Sequence, residues 1–120
     1  MKKTIISFKD EDLVLKEKSG IYCIDCNKIV SISCDHPYLK MIITNEKYKL
    51  IFYPLKEIIS LLPDCFVMCS RSELINLHFF SSLETKNHQG HLYLKTGDEV
   101  HLSGEYLKKR NFRLFYLKSY

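Results

Sequence analysis

The interpretation of this chain depends most on residues 55–76, which read Leu55-Lys-Glu-Ile-Ile-Ser-Leu-Leu-Pro-Asp-Cys-Phe-Val-Met-Cys-Ser-Arg-Ser-Glu-Leu-Ile-Asn76. The first part follows Pro54, and its apolar residues recur at the spacing i, i+3, i+4 and i+7. This spacing collects apolar side chains on one side of a helix, and a proline at each end fits a helix start and stop. We therefore predict a short amphipathic helix that Pro63 closes, then a strand over Cys65–Ser70 and a loop.

Most of the remaining chain reads as short β-strands. Ile29–Cys34 alternates apolar residues with serines, which is the period-two pattern of a half-buried strand. Polar turns at residues 45–47 and 96–98 predict two hairpins. A second short helix is expected from Glu105 into Phe112. The other predicted strands are Thr4–Phe8, Leu13–Lys16, Ile21–Ile24, Leu39–Thr44, Tyr48–Phe52, Phe79–Leu83, His91–Lys95 and Glu99–Leu102.

Length and composition are those of one globular domain. The 120 residues are 46% hydrophobic and 27% charged, with four Gly and three Pro. This length is enough for one domain and too short for two, and the composition excludes disordered and low-complexity proteins. No apolar segment reaches the ~18 residues of a membrane span, and no signal peptide is evident. We therefore expect a cytoplasmic protein that does not bind a membrane.

The net charge of +4 comes from 18 basic and 14 acidic residues and is unevenly distributed. Five basic residues and one acid lie after Ser103, whereas the charges before that point balance. An anionic partner is one interpretation of the basic C-terminal end, and a solvated chain end is the other.

The motifs of common enzyme chemistry are absent. The sequence has no Gly-rich phosphate loop, no His-Glu-x-x-His and no Gly-x-Ser-x-Gly. His91 and His101 can face each other across the last predicted hairpin, but two histidines without a nearby carboxylate make a weak metal site. We therefore predict no enzyme activity, no cofactor, no resident metal and no small-molecule substrate.

The five cysteines are interpreted as buried free thiols. Their odd number and the missing signal peptide argue against a disulfide framework. Cys23 and Cys26 have the spacing of zinc or redox ligands, but all five cysteines lie in strand-like, apolar stretches, where free thiols are usually buried.

Residues 55–76 resemble the LytTR family of bacterial DNA-binding domains. The family pattern is a short helix ending in Leu-Pro, then Phe-x-Arg-x-His-Arg-Ser-x-x-Val-Asn. The residues that match this pattern are Phe66, Arg71, Ser72, Ile75 and Asn76. Ile29–Thr44 is similar to an upstream strand and hairpin of the family, and Leu94–Ser103 to its last hairpin. The resemblance spans about Lys2 to Phe112, with Tyr38, Lys40 and Tyr106 at usual positions.

The chain also departs from the family at basic positions. Met68 and Ser70 stand where the family has Arg and His, and Gly104 and Glu105 stand in place of two arginines. Ser33 stands in place of a family Glu. Each basic group that is missing at a phosphate weakens DNA binding and flattens its dependence on salt.

The resemblance implies a mainly β, elongated arrangement of small antiparallel sheets with one or two short helices. It implies one DNA-binding domain over residues 1–112, with a basic and aromatic tail over residues 113–120. Family members insert loops into successive major grooves and commonly bind direct repeats as two copies. The expected function is that of a bacterial, sequence-specific transcriptional regulator without a receiver domain, which acts on double-stranded DNA and can form a homodimer.

Two other functions remain open from the sequence. One is a protein-interaction module that kept the fold and lost DNA binding, which the balanced charge before Ser103 favours. The other is a redox or zinc sensor that uses Cys23 and Cys26.

The resemblance and the charge pattern together indicate which residues contact DNA. Arg71 is expected to read a guanine or grip a phosphate, with an ion pair to Glu73 or Asp64 as the alternative. Asn76 is expected to brace the loop through side-chain-to-backbone bonds. Lys40 is expected to contact a phosphate with Tyr38 behind it. The full set of predicted DNA-binding residues is Arg71, Ser72, Ser70, Lys40, Tyr38, Asn76, Lys108 and Lys109.

Overall fold

A computed structural model describes residues 4–45 and 47–107 of the chain. These residues form two compact units that divide after Pro63. Their structure is mainly β, with small antiparallel sheets and few short helices, which confirms the predicted fold class. The expectations for Lys108, Lys109, the helix continuing to Phe112 and the tail fall outside the described residues.

The first unit begins with a three-stranded antiparallel sheet in the order β1-β2-β3. The strands are β1 (Ile5–Lys9), β2 (Asp12–Glu17) and β3 (Gly20–Asp25), close to their predicted bounds. Leu13 and Leu15 of the central strand are fully buried. Because side chains alternate along a strand, Val14 and its register partner Cys23 lie on the opposite face of this sheet.

Three further strands of the first unit pair as an antiparallel meander. They are β4 (Ile29–Asp35), β5 (Tyr38–Ile43) and β6 (Lys47–Ile51), and a 3-10 turn over Cys26–Lys28 precedes β4. Ile32, Met41 and Ile51 are fully buried. The predicted half-buried alternation of Ile29–Cys34 is wrong, because residues 29–32 are all buried and Cys34 is exposed. The predicted hairpin between β5 and β6 is confirmed.

The predicted amphipathic helix forms, but only its first turn is α-helical. This turn is α1 (Leu55–Ile58), and a 3-10 turn over Ile59–Leu61 follows it. Leu55, Ile58 and Leu62 are buried, as the spacing predicts. Leu62 adopts an extended backbone with φ −93° and ψ 155°, because helical geometry is disfavoured for a residue before proline.

The second unit contains a hairpin, a three-stranded antiparallel sheet and a short helix. The hairpin is β7 (Phe66–Ser70) with β8 (Glu73–Asn76), and a 3-10 turn over Leu77–Phe79 follows. The sheet, in the order β11-β10-β9, consists of β9 (Phe80–Lys86), β10 (Gln89–Leu94) and β11 (Glu99–Leu102). The helix is α2 (Gly104–Leu107). Fully buried residues of this unit include Leu74, Leu77, Leu92 and Leu102.

The structure corrects the prediction of a loop after Ser70. Glu73–Asn76 forms the strand β8, and only Arg71 and Ser72 remain in a turn between the two strands. Leu74, Ile75 and Asn76 are all fully buried, so this strand lacks the alternation on which the strand predictions rested.

A second hairpin turn was also not predicted. Asn87 and His88 connect β9 to β10 and have φ values of 53° and 63°. Positive φ at both central residues is the geometry of a type I′ turn, which matches the twist of the paired strands.

Candidate nucleic-acid interface

The β7–β8 hairpin presents Ser70, Arg71 and Ser72 together at its tip. Arg71 and Ser72 are both exposed, while Ser70 ends β7 and pairs with Glu73. The Ser70 Oγ accepts a hydrogen bond from the backbone N–H of Ser72 at 3.2 Å, and the two serine hydroxyls lie 3.4 Å apart. A serine that bonds the backbone two residues ahead stabilises a turn. Ser70 therefore shapes the turn that holds Arg71.

The base of this hairpin is anchored in the interior of the second unit. Asn76 is 0% exposed, and its Oδ1 accepts a hydrogen bond from the backbone N–H of His78 at 3.0 Å. The N–H of Leu77 donates to the carbonyl of Cys65 at 2.8 Å. The bracing predicted for Asn76 is thus present as a cap on the 3-10 turn that follows β8. Its burial leaves it no surface with which to contact DNA directly.

Cys69 contributes to the interior of the same hairpin. It is 1% exposed, and its thiol donates to the backbone carbonyl of Glu73 at 3.4 Å. Burial, with the nearby Glu73 carboxylate as the second cause, raises the pKa of the Cys69 thiol far above its ordinary value. Burial also raises the pKa of the Cys65 thiol just before β7. Both thiols remain protonated at neutral pH, so they are poor nucleophiles and poor metal ligands.

Within residues 4–45 and 47–107, the Arg71 guanidinium forms no ion pair. The alternative interpretation of Arg71 required Glu73 or Asp64 as a partner. A Glu73 carboxylate oxygen instead lies 3.5 Å from the Cys69 sulfur. The five donors of the Arg71 side chain are therefore available to a ligand outside the described chain.

Tyr38 and Lys40 lie together on one face of β5 in the first unit. The Lys40 ammonium lies 4.8 Å from the centre of the Tyr48 ring, which is a cation–π distance. The Tyr38 ring meets the Phe52 ring edge-on, with centroids 6.3 Å apart. Tyr48 is 60% exposed, so this face presents a lysine beside an exposed aromatic ring. Tyr48 was not among the predicted site residues, although it directly follows a predicted turn and alternates with Lys47 and Lys49.

The interpretation of all cysteines as buried thiols is wrong for two of them. All five are free, but Cys23 and Cys34 are exposed, Cys65 is intermediate, and only Cys26 and Cys69 are buried. Cys23 is exposed because it lies on the face of its sheet opposite Leu13 and Leu15. In the described part of the chain, no group of three or more His, Cys, Asp or Glu side chains has the arrangement of a metal site.

The expectation that His91 and His101 lack a carboxylate is also wrong. The His91 Nδ1 lies 2.8 Å from a carboxylate oxygen of Glu99 on β11. The two histidine rings do face each other, as the hairpin predicted.

Among the described residues, no helix is both long enough and apolar enough to cross a bilayer.

Comparisons with known proteins agree with the fold and with the sequence motifs. The model of the LytTr DNA-binding domain family matches residues 19–114. A solved structure from Bacillus cereus, described as the LytTr DNA-binding domain of a putative methyl-accepting/DNA response regulator, superposes with a TM-score of 0.69 at 20% sequence identity. The superposition covers 92% of this chain and 96% of that one. Among curated proteins, no sequence gives a significant match.

Proposed function

We propose that this chain, which belongs to the LytTr DNA-binding domain family, is a sequence-specific transcriptional regulator that binds double-stranded DNA in the bacterial cytoplasm. The family is one of DNA-binding domains and not of enzymes, which supports a non-enzymatic DNA-binding role. The observation that carries the specific proposal is the Arg71 side chain, which is exposed in a tight turn and unpaired within the described residues.

In this proposal the β7–β8 turn enters the major groove and Arg71 reads a base. An arginine fork can donate two hydrogen bonds to O6 and N7 of a guanine, which is the commonest specific contact to DNA. Ser70 and Ser72 then contact a phosphate or hold the turn. Asn76 acts from the interior, where its cap on the 3-10 turn sets the position of β8.

The remaining predicted residues supply contacts to the DNA backbone. Lys40, with Tyr38 on the same face, is proposed to contact a phosphate, since the Tyr48 ring beside its ammonium limits where that ammonium can lie. Lys108 and Lys109 are proposed to follow the phosphate backbone because of their charge alone. We further propose that two copies of the chain occupy a direct repeat.

The same proposal predicts modest affinity. Met68, Ser70, Gly104 and Glu105 occupy positions where the family carries basic side chains or histidine, so fewer counterions are released on binding. Specificity can survive this reduction, because base-edge contacts and phosphate contacts make separate contributions.

Selection of bound DNA from a random pool at moderate salt tests the function. We expect an enriched motif that contains a guanine, repeated once in the same orientation on one side of the helix. Recovery of no motif, together with the capture of a protein partner at physiological salt, would favour the interaction module instead.

A further inference from the structure

The outer face of the β9–β10–β11 sheet carries two histidines that no part of the proposed DNA contact uses. His91 and His101 are direct register partners across the β10–β11 hairpin. Their ring centres lie 5.3 Å apart, and their planes are inclined by 68°. Both rings are accessible, since the His91 side chain is 44% exposed and His101 is also exposed. Two imidazoles therefore face solvent side by side on paired strands.

Hydrogen bonds determine which nitrogen of each ring is free. The Glu99 carboxylate can only accept, so the His91 Nδ1 that lies 2.8 Å from it carries the proton. The Nε2 of a neutral His91 then keeps its lone pair. The His101 Nε2 faces the Gln89 amide oxygen at 2.7 Å and donates to it, which leaves Nδ1 with the lone pair. A carboxylate or amide oxygen on the outer nitrogen is the usual support of a metal-binding histidine.

Acidic side chains make this face attractive to a cation. Glu84 on β9 is the register partner of His91, and Glu99 lies opposite Tyr93. Directly paired residues share a face of the sheet, and so do residues two apart on one strand, so both carboxylates lie on the same face as the two histidines.

The separation of the rings fits a shared ligand. Zinc binds imidazole nitrogen at about 2.0–2.1 Å, and a ring centre lies about 1.1 Å behind its nitrogen, so two imidazoles on one tetrahedral ion have centres roughly 5 Å apart. The observed separation of 5.3 Å is close to that value.

We propose that His91 and His101 bind one divalent metal ion of the zinc class, with Glu99 and Gln89 orienting the two rings. No third protein donor converges on the pair within the described residues, so water or a carboxylate that turns inward, such as Glu84, completes the coordination. The ion would link β10 to β11 directly before α2.

Calorimetric titration of the untagged, reduced, metal-free full chain with zinc chloride tests this site. We expect one saturable binding event that His91→Gln and His101→Gln each weaken about tenfold or more, because each removes one of two protein ligands. The double variant should lose little more than either single variant, since both act on one ion. Glu99→Gln should weaken binding by roughly tenfold, because an amide is a poorer acceptor for the ring N–H.

The matched control is His78→Gln, which removes an exposed imidazole elsewhere in the second unit. Zinc affinity should be unchanged in this variant. The proposal is overturned if zinc shows no saturable binding, or if binding persists in both His91→Gln and His101→Gln and disappears when Cys23 and Cys34 are replaced by Ser. If the histidine variants lose binding and Glu99→Gln does not, the metal site stands and the orienting role of Glu99 is overturned.

Discussion

Arg71 lies in a two-residue turn between strands whose inward side chains are buried. From this exposed position its side chain can make either of two kinds of DNA contact. A bidentate contact to a base edge requires the planar fork of arginine. A phosphate contact requires mainly a positive charge, which lysine also supplies. Two substitutions of Arg71 can therefore show whether it contacts a base or a phosphate.

Replacing Arg71 with Ala is expected to weaken binding to the selected DNA site by about 1–3 kcal/mol, the usual value of a bidentate base contact. Binding to random DNA should weaken less. Arg71→Lys should lose most of the same discrimination while retaining affinity for random DNA. Titrations of both variants on both DNAs measure this, with Lys86→Ala as the control that removes another exposed cation of the second unit. An equal loss on the two DNAs would identify Arg71 as a phosphate contact.

Gly104 shows that a departure from the family pattern can have a structural cause. A Cβ at this position would lie 2.7 Å from the backbone oxygen of His88, which belongs to the type I′ turn before β10. That distance is shorter than any ordinary contact, and the obstacle is backbone rather than a flexible side chain. The family arginine is therefore sterically excluded here while this turn keeps its position.

Gly104→Ala is consequently expected to lower the free energy of unfolding by about 1–3 kcal/mol, the usual cost of overpacking a closed site. Urea denaturation of the variant measures this change. Glu105→Ala, at the next and exposed position of α2, is the control and should change stability little. A Gly104→Ala variant as stable as the parent would mean that the His88 turn shifts without cost.

At the scale of elements, the strands that could be predicted are those whose sequence alternates or lies beside turn residues. The sequence of Ile29–Cys34 alternates apolar residues with serines, and this pattern located β4 although residues 29–32 are all buried. By contrast, β8 is four residues long without alternation in its sequence, and its connection to β7 carries none of Gly, Asn, Asp or Pro. Neither periodicity nor turn chemistry indicated it, because serine is a weaker turn signal than those four residues. The exposure of Cys23 was not predicted because it depends on which face of the sheet packs inward.

The β7–β8 hairpin also predicts how stability depends on pH. Burial holds the pKa of Cys69 far above the ordinary 9.0, so the folded chain keeps this proton when the unfolded chain releases it. The folded state then binds more protons than the unfolded state at pH values above about 9, and stability must fall with rising pH in that range. Well below pH 9 the Cys69 thiol is protonated in both states, so it does not make stability depend on pH.

We expect the free energy of unfolding to fall by about 1 kcal/mol per pH unit above pH 9. This is close to the largest slope that a single titrating group can cause. Urea denaturation between pH 7 and pH 11 under reducing conditions measures the slope. Cys69→Ala removes the titrating thiol and should flatten the curve relative to the parent, although it lowers stability at every pH by opening a small cavity. Parallel curves for the two proteins would contradict the assignment to Cys69.

At the scale of the whole molecule, the uneven charge distribution indicates that different parts of the sequence contribute differently to DNA binding. The residues before Ser103 carry balanced charge, and the excess of +4 lies after it. A part of the chain without net charge can still orient a base-reading side chain, but it cannot attract a polyanion from a distance. Sequence choice and general affinity for DNA are therefore expected to depend on different residues.

Changing Lys108 and Lys109 together to Gln tests this division. We expect affinity for every DNA to fall by a similar factor, and the slope of log affinity against log salt to decrease by about 0.9 for each phosphate that the chain no longer neutralises. Discrimination between the selected site and random DNA should barely change, because Arg71 and its turn are untouched. Salt titrations on both DNAs provide these quantities, and Lys16→Gln with Lys18→Gln, a pair of exposed lysines in the first unit, controls for the change in net charge. If neither affinity nor salt slope changes in the Lys108 and Lys109 variant, the basic segment faces water or another protein, and the chain is better explained as an interaction module that retains this fold.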